Sequence, residues 1–257
     1  MSSNDGIRKT LFVAFALCIV CSVVVSTAAV VLKPAQQANQ LLDRKRNILS
    51  AAGMLDENAS IEEQFSRIST RVVDLRTGEF TDDVDPAQYD QRKAAKEAGM
   101  SDKLSPEEDV AKIFRREHYA LVYLVEDPQG GVDKIILPIH GYGLWGQLYG
   151  FIALEGDAST VAGIGFYEHK ETPGLGGEVD NPRWKGLWEG KQVYRDGDVE
   201  ISVLKGSVDP ASANAEYQVD GLAGATLTTR GVSNLVQYWL GEDGFAPFLN
   251  NLKSGEA

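Results

Sequence analysis

Apolar and polar positions divide this chain sharply near its N-terminus. Leu11 to Leu32 is an unbroken run without a charged residue. At about 1.5 Å per residue, a helix of that length reaches roughly 33 Å, enough to cross the hydrocarbon of a bilayer. Beyond it, Ala38, Leu41, Leu42, Ile48 and Leu49 recur at helical spacing. Pro34 to Ala52 therefore reads as an amphipathic helix, separate or continuing the span as a stalk, with Gly53 as its stop. Ser60 to Glu63 has the S-x-x-E form of a capping box and predicts a short helix with Ile61, Phe65 and Ile68 inward. Arg71 to Arg76 has strand character and ends at Thr77-Gly78. Asp82 to Lys103 is polar with interleaved charges and predicts a solvated helix and loop. Ser105-Pro106-Glu107-Glu108 predicts a helix start, running to about Arg116.

From residue 119 the pattern turns to β. Ala120–Val125, Lys134–Ile139, Leu148–Leu154 and Thr160–Tyr167 are short β-rich runs separated by Gly and Asp clusters. Spacing this close permits only hairpins, hence an antiparallel meander. Ile201–Leu204 predicts a fifth strand. Val232–Leu240 predicts a helix, with Val232, Leu235, Val236, Trp239 and Leu240 on one face. The fold class is α+β: a single N-terminal transmembrane helix, then an antiparallel sheet flanked by helices. The expected divisions are a short tail (1–10), the span (11–32), a mainly helical stalk and insert (33–118) and the sheet domain (119–257).

Charge sets the expected orientation. Arg8 and Lys9 precede the span, which places the tail in the cytoplasm. Lys33, Arg44, Lys45 and Arg46 follow it and favour the reverse, but large domains translocate largely regardless of charge. A cleaved signal peptide, with Ser26 and Ala28 at the cleavage site, is the alternative; the apolar run is longer than a typical signal core.

Composition narrows the function. Charged residues at 24% and hydrophobic residues at 43% are those of a globular protein, not of a disordered one. A net charge of −12 argues against a phosphate backbone as partner, which needs a basic face, and serves solubility. Cys18 and Cys21 are the only cysteines and both lie in the apolar run. The globular part thus has no disulfide, thiolate zinc site or iron–sulfur cluster of its own. His118, His140 and His169 have no metal-ligand spacing. No G-x-S-x-G, H-E-x-x-H, Walker or G-x-G-x-x-G pattern occurs. No metal site and no set of catalytic side chains is expected.

Two stretches are candidates for ligand binding. Glu171-Thr172-Pro173-Gly174-Leu175-Gly176-Gly177-Glu178 is rich in glycine, so its backbone can approach a planar ligand, with Leu175 as an apolar face. It also reads as a plain connecting loop. Asp220-Gly221-Leu222-Ala223-Gly224-Ala225-Thr226-Leu227-Thr228-Thr229-Arg230 leads into the predicted Val232 helix. Free amides at a helix N-terminus favour a phosphate, and small residues leave the Thr226 hydroxyl approachable. Alternatively, Thr228 or Thr229 merely caps that helix.

D-G-L-A-G-A-T resembles the D-x-x-[ST]-G-A-[TS] motif at which a flavin transferase attaches FMN through a phosphodiester. The E-T-P-G-L-G loop occurs in the same FMN-binding family. With His140-Gly141-Tyr142-Gly143-Leu144-Trp145, Tyr89-Asp90-Gln91-Arg92-Lys93 and the terminal Gly244-Phe245-Ala246-Pro247-Phe248-Leu249, the whole chain resembles the C subunit of the Na+-translocating NADH:quinone reductases. The corresponding subunit of the related Rnf-type complex and an anchored envelope scaffold without cofactor are the alternatives. The resemblance implies FMN esterified to Thr226, with Asp220, Gly224, Ala225, Leu227 and Thr228 around the linkage. Independently of the resemblance, Glu171, Thr172, Gly174, Leu175, Gly176 and Trp145 are the candidates for the ring pocket, and Lys205, at the end of the predicted fifth strand, either offsets negative charge on a reduced flavin or is a plain surface lysine. The resemblance further implies a transferase for maturation, other subunits as partners, and a bacterial inner membrane location with the soluble domain in the periplasm. Ala223 departs from the motif, which usually has Ser or Thr there.

Overall fold

The computed structural model describes residues 6–257. The first half of the expected tail, residues 1–5, lies outside the described residues. Helix α1 runs without a break from Ile7 to Ala51. Stalk and span are thus one helix, with Pro34 inside it. Among the described residues it is the one helix long and apolar enough to cross a membrane, and none of that apolar stretch is buried. The chain divides into two compact units at residues 44/45.

In the second unit the elements follow in order: α2 (Ile61–Phe65), β1 (Ile68–Asp74), β2 (Glu79–Phe80), α3 (Gln91–Ala94), β3 (Ser101–Lys103) and β4 (Arg115–Glu117). Then come β5 (Tyr119–Glu126), β6 (Val132–Tyr142), β7 (Gln147–Glu155) and β8 (Val161–Glu168). After these lie α4 (Pro182–Lys185), β9 (Tyr194–Arg195), β10 (Asp198–Val199), β11 (Ser202–Val203), β12 (Gln218–Val219), α5 (Thr226–Leu240) and α6 (Ala246–Ser254). The central sheet has the order β2-β1-β5-β6-β7-β8, and its pairs are antiparallel. The expected meander is β5 to β8. β1 extends it by pairing with β5 from Ile68↔Val125 to Asp74↔Tyr119, so the sheet continues across residue 118. The segment expected as mainly helical, 33–118, is helical to Ala51 and mixed thereafter.

The sheet is covered on both faces, which is why its strands are nearly continuous apolar runs rather than alternating ones. Ala120, Val122 and Leu124 of β5 join Ile135, Leu137 and Ile139 of β6 in a core with Val232, Leu235, Val236 and Trp239 of α5 and Phe248 of α6. Leu121, Tyr123 and Val125 point the other way, with Ile136, Phe151 and Ala153, against Ile48, Leu49 and Ala51 at the end of α1 and Ala52 just after it. The period of two along each strand distributes these residues between the two layers.

Three expected elements differ. The helix predicted from Ser105 to Arg116 does not form. Its capping box does: Ser105 N donates to Glu108 Oε2 at 2.9 Å and Glu108 N to Ser105 Oγ at 3.4 Å. The Asp109 carboxylate then takes the N–H groups of Ile113 (2.7 Å) and Phe114 (2.8 Å), diverting them from helical partners. Ser60 precedes α2 but makes no capping bond. The Gln64 side chain instead accepts from Asp56 N at 2.7 Å and donates to the carbonyls of Asp56 and Ala59. The fifth strand is only Ser202–Val203, paired in parallel with β12 outside the main sheet, and the Ser233 hydroxyl holds Val203 N to α5 at 3.1 Å.

The polar segment 82–103, expected as solvated, is tied to the sheet. Tyr89 Oη donates to Tyr119 O at 2.8 Å, and Arg92 forks onto Glu168 at 2.6 and 3.0 Å while its guanidinium lies 3.8 Å from the Tyr149 ring centre. Gln91 is buried; it accepts from Leu121 N at 3.1 Å and donates to Glu117 Oε1 at 2.6 Å. Glu117 is fully buried, and desolvation pushes its carboxyl up to about 7. A raised folded value means the group favours folding below the unfolded value of 4.5 and loses that contribution as pH rises through about 7. Glu117→Gln should therefore gain stability relative to the wild type between those values, reaching on the order of 3 kcal/mol above neutrality. Denaturant melts of both chains at pH 5 and pH 8 measure this; an equal gap at both would contradict it.

Candidate functional site

Helix α5 begins six residues earlier than its apolar period suggests, at Thr226 rather than Val232. T-L-T-T-R-G contains weak helix formers, so the extra turn owes its existence to packing. Thr228, Thr229, Gly231 and Val232 are all buried. The Thr229 hydroxyl accepts from Leu222 N at 3.0 Å, folding residues 222–225 back over the helix start. Gly224 takes φ +72°, a left-handed conformation that glycine adopts without strain.

Thr226 is thus the first helical residue, and it is exposed. Ala225 stands at the cap position and has no side chain with which to cap. The first helical hydrogen bond is Thr229 N to Ala225 O, 2.9 Å. The N–H groups of Thr226, Leu227 and Thr228 precede it, and such groups carry the positive end of the helix dipole. Neither Thr228 nor Thr229 is the cap; each is committed inward.

Glu171 organises the surroundings. The residue is only 5% exposed. Oε1 accepts from the backbone N–H of Leu144 (2.9 Å) and Trp145 (3.0 Å), and Oε2 accepts from the Thr228 hydroxyl at 2.5 Å. One carboxylate therefore ties the β6–β7 turn, the 171–177 loop and the first turn of α5 together. Two glycines make room: a Cβ at Gly143 would lie 2.6 Å from Oε1, and one at Gly176 would lie 2.6 Å from Oε2. The 171–177 loop closes on Thr172 O, which accepts from Leu175 N (3.1 Å) and Gly177 N (2.9 Å). His169 steadies its start, bonded to Glu171 N at 3.2 Å and to Asp180 at 2.8 Å.

Around Thr226 the apolar side chains stay exposed. Leu175 comes within 3.1 Å of where a Gly224 Cβ would stand, so the two expected stretches meet. Leu144, Leu175 and Leu227 are exposed, and Trp145 is 62% exposed. The structure holds Trp145 here by its backbone, and its ring is open to solvent. Asp220 is used internally: Oδ1 accepts from Val208 N at 2.8 Å, and its carbonyl accepts from Trp184 Nε1 at 2.8 Å. Lys205 is exposed and forms no hydrogen bond or ion pair among the described residues. Its neighbours Leu204 and Gly206 lie against Gly221, and Gly221 N donates to Gly206 O at 2.7 Å.

The motif reading missed several supports. Tyr142 packs its carbonyl against Gly231, Trp184 pins Asp220, and Leu144 presents its amide to Glu171. The glycine spacing of H-G-Y-G-L-W and T-T-R-G was the available signal. His140, in the same strand end, stacks on Tyr149 at 5.5 Å and meets Trp239 at 4.9 Å. Desolvation, with the nearby Arg92 charge, lowers its imidazole to about 3, so it is neutral near pH 7.

These features fit FMN: free amides and an approachable hydroxyl for the phosphate, and an apolar rim for the ring. The family model for the FMN-binding domain matches residues 143–241, which contain Glu171, Thr226 and their partners. The C subunit of the Na(+)-translocating NADH-quinone reductase of Pseudomonas aeruginosa is 56% identical, over all of this chain and all of its own length. The chain belongs to the C-subunit family of Na(+)-translocating NADH-quinone reductases. The C subunit from Yersinia pestis is 48% identical over 98% of the chain and 96% of its own. The crystal structure of Shewanella oneidensis NqrC matches with a TM-score of 0.76 at 34% identity, covering 86% of this chain and 99% of that one. The C-subunit structure from Parabacteroides distasonis matches with a TM-score of 0.66 at 27% identity, covering 85% and 96%. Similarity along the whole chain decides for the reductase family over the Rnf-type and scaffold alternatives, and makes the chain part of a multi-subunit oxidoreductase.

Helix α5 seats closely on the end of β6, and a Cβ on Gly231 would meet the Tyr142 carbonyl and sit 2.9 Å from Gly143 Cα. Gly231→Ala should therefore destabilise the chain by about 1–3 kcal/mol through overpacking. Gly186→Ala, which meets nothing within 4 Å, serves as the control. Thermal melts of both variants check this; equal melting temperatures would count against the close seating.

Proposed function

We propose that this chain carries FMN covalently, as a phosphoester on Thr226 Oγ1, and relays electrons derived from NADH towards quinone, with sodium export coupled elsewhere in the assembly. The observation that carries the reading is an exposed threonine hydroxyl as the first residue of α5, inside the FMN-binding match. Bound there, FMN supplies reversible electron acceptance. The chain's own residues bind and orient it. The amides of Leu227 and Thr228 would receive the phosphate oxygens, favoured by charge and by hydrogen bonding. Leu175, Leu227 and Trp145 would cover the ring, while Thr172, Gly174 and Gly176 shape the loop beneath it. Lys205 would offset negative charge on the reduced ring.

Attachment requires an activated donor. A flavin transferase would use a flavin dinucleotide: Thr226 Oγ1 bonds to the flavin-side phosphorus, the phosphoanhydride breaks, the nucleoside monophosphate leaves, and the hydroxyl proton passes to a base of the enzyme. Gly224 and Ala223, both exposed, leave that approach clear, and Asp220 braces the turn. A tethered flavin is not lost to the medium, which suits a domain in the periplasm anchored through α1 to the inner membrane, with residues 1–10 in the cytoplasm. The span Leu11–Leu32 has no charged residue and is not itself the sodium path.

Thr226→Ala tests this directly. The wild type should give a flavin-fluorescent band that survives denaturing electrophoresis. The variant should insert in the membrane at normal level with no band; a persisting band would contradict the assignment.

A further inference from the structure

We propose that Glu171 is a positioning residue whose negative charge also sets the reduction potential of the flavin on Thr226; this rests on the covalent reading above. Three observations support it. First, Glu171 touches two segments beside the attachment point: Leu144 and Trp145 through their amides, and Thr228, two residues past Thr226, through its hydroxyl. Second, its side chain is buried and meets donors alone. Asp74, Glu155 and Glu168 sit against Arg76, Lys134 and Arg92, whereas no ion pair joins Glu171 among the described residues. Among the described residues its side-chain hydrogen-bond partners are neutral dipoles, two backbone amides and one hydroxyl. A buried anion without a counter-ion acts over several ångströms, because little solvent screens it.

Third, hydrogen bonding alone does not require a carboxylate. A glutamine in the same rotamer would accept from both amides with its oxygen and donate to the Thr228 hydroxyl with its nitrogen. What the carboxylate adds is charge. An anion beside the ring opposes the arrival of electrons there and holds the potential down. Geometry and charge therefore separate in two substitutions. Glu171→Gln keeps the bonds and removes the charge. Glu171→Asp keeps the charge and, one methylene shorter, strains the bonds.

The experiment is a spectroelectrochemical titration of the full-length chain, flavinylated during expression and purified in detergent, with loading checked by in-gel fluorescence. Glu171→Gln should shift the two-electron reduction equilibrium about tenfold towards the reduced form, a rise of about 30 mV. Glu171→Asp should stay close to the wild type. The reverse pattern, with glutamine silent and aspartate displaced, would assign Glu171 a purely structural role and overturn the proposal. Should the glutamine variant fail to fold, the aspartate variant decides: a wild-type potential supports the charge, and an upward shift refutes it. A wild-type chain without a fluorescent band would remove the covalent reading, and the proposal with it. That outcome is distinct from a loaded chain whose potential does not move.

Discussion

A carboxylate buried away from water must find hydrogen-bond donors or forfeit several kcal/mol of solvation. Glu171 finds two backbone amides and a threonine hydroxyl, from segments separated by tens of residues. Satisfying that one side chain fixes the β6–β7 turn, the loop after β8 and the first turn of α5 relative to one another. The glycines at 143 and 176 follow from it, because a side chain at either would occupy the carboxylate's place. The exposed position of Thr226 follows too. Thr228 points inward to Glu171 and Thr229 inward to Leu222, which leaves Thr226 and Leu227, the two residues before them, at the surface.

The rest of the fold is a platform for this corner. β6 and β7 are paired from Lys134↔Glu155 to Tyr142↔Gln147, and the long hairpin delivers its turn to the start of α5. Val232, Leu235, Val236 and Trp239 anchor the helix in the core, and Trp239 Nε1 bonds to His140 O at 2.6 Å. The opposite face of the sheet takes the end of α1. Ile48, Leu49 and Ala51, the buried residues of α1, belong to this layer.

Local patterns were legible where local physics decides. The apolar span, the four meander strands and the capping box at Ser105 all appear in the sequence as short-range signals. Tertiary competition was not legible. Asp109 stops a helix that its own capping box had started, and Gln91 leaves a polar stretch to enter the core beside Glu117. The start of α5 was hidden because T-L-T-T-R-G has no helical apolar period and is stabilised by buried threonines. The two glycine-rich stretches announced a close approach of backbone, yet not that a single glutamate joins them. Lys205 and the Trp145 ring, candidates for the flavin pocket, stand at the surface and, among the described residues, make no hydrogen bond, ion pair or ring contact. Their part depends on what binds beside them.

Membership of the reductase C-subunit family and the FMN-binding match make the flavin expected; the location of its bond is the central claim. Mass spectrometry of the peptide containing Thr226, taken from the chain purified out of its native membrane, tests that claim most directly. An added mass of about 438 Da, FMN less water, on Thr226 is the predicted result. An unmodified Thr226 in flavin-replete cells, or the same mass on Thr228 or Thr229, would contradict it.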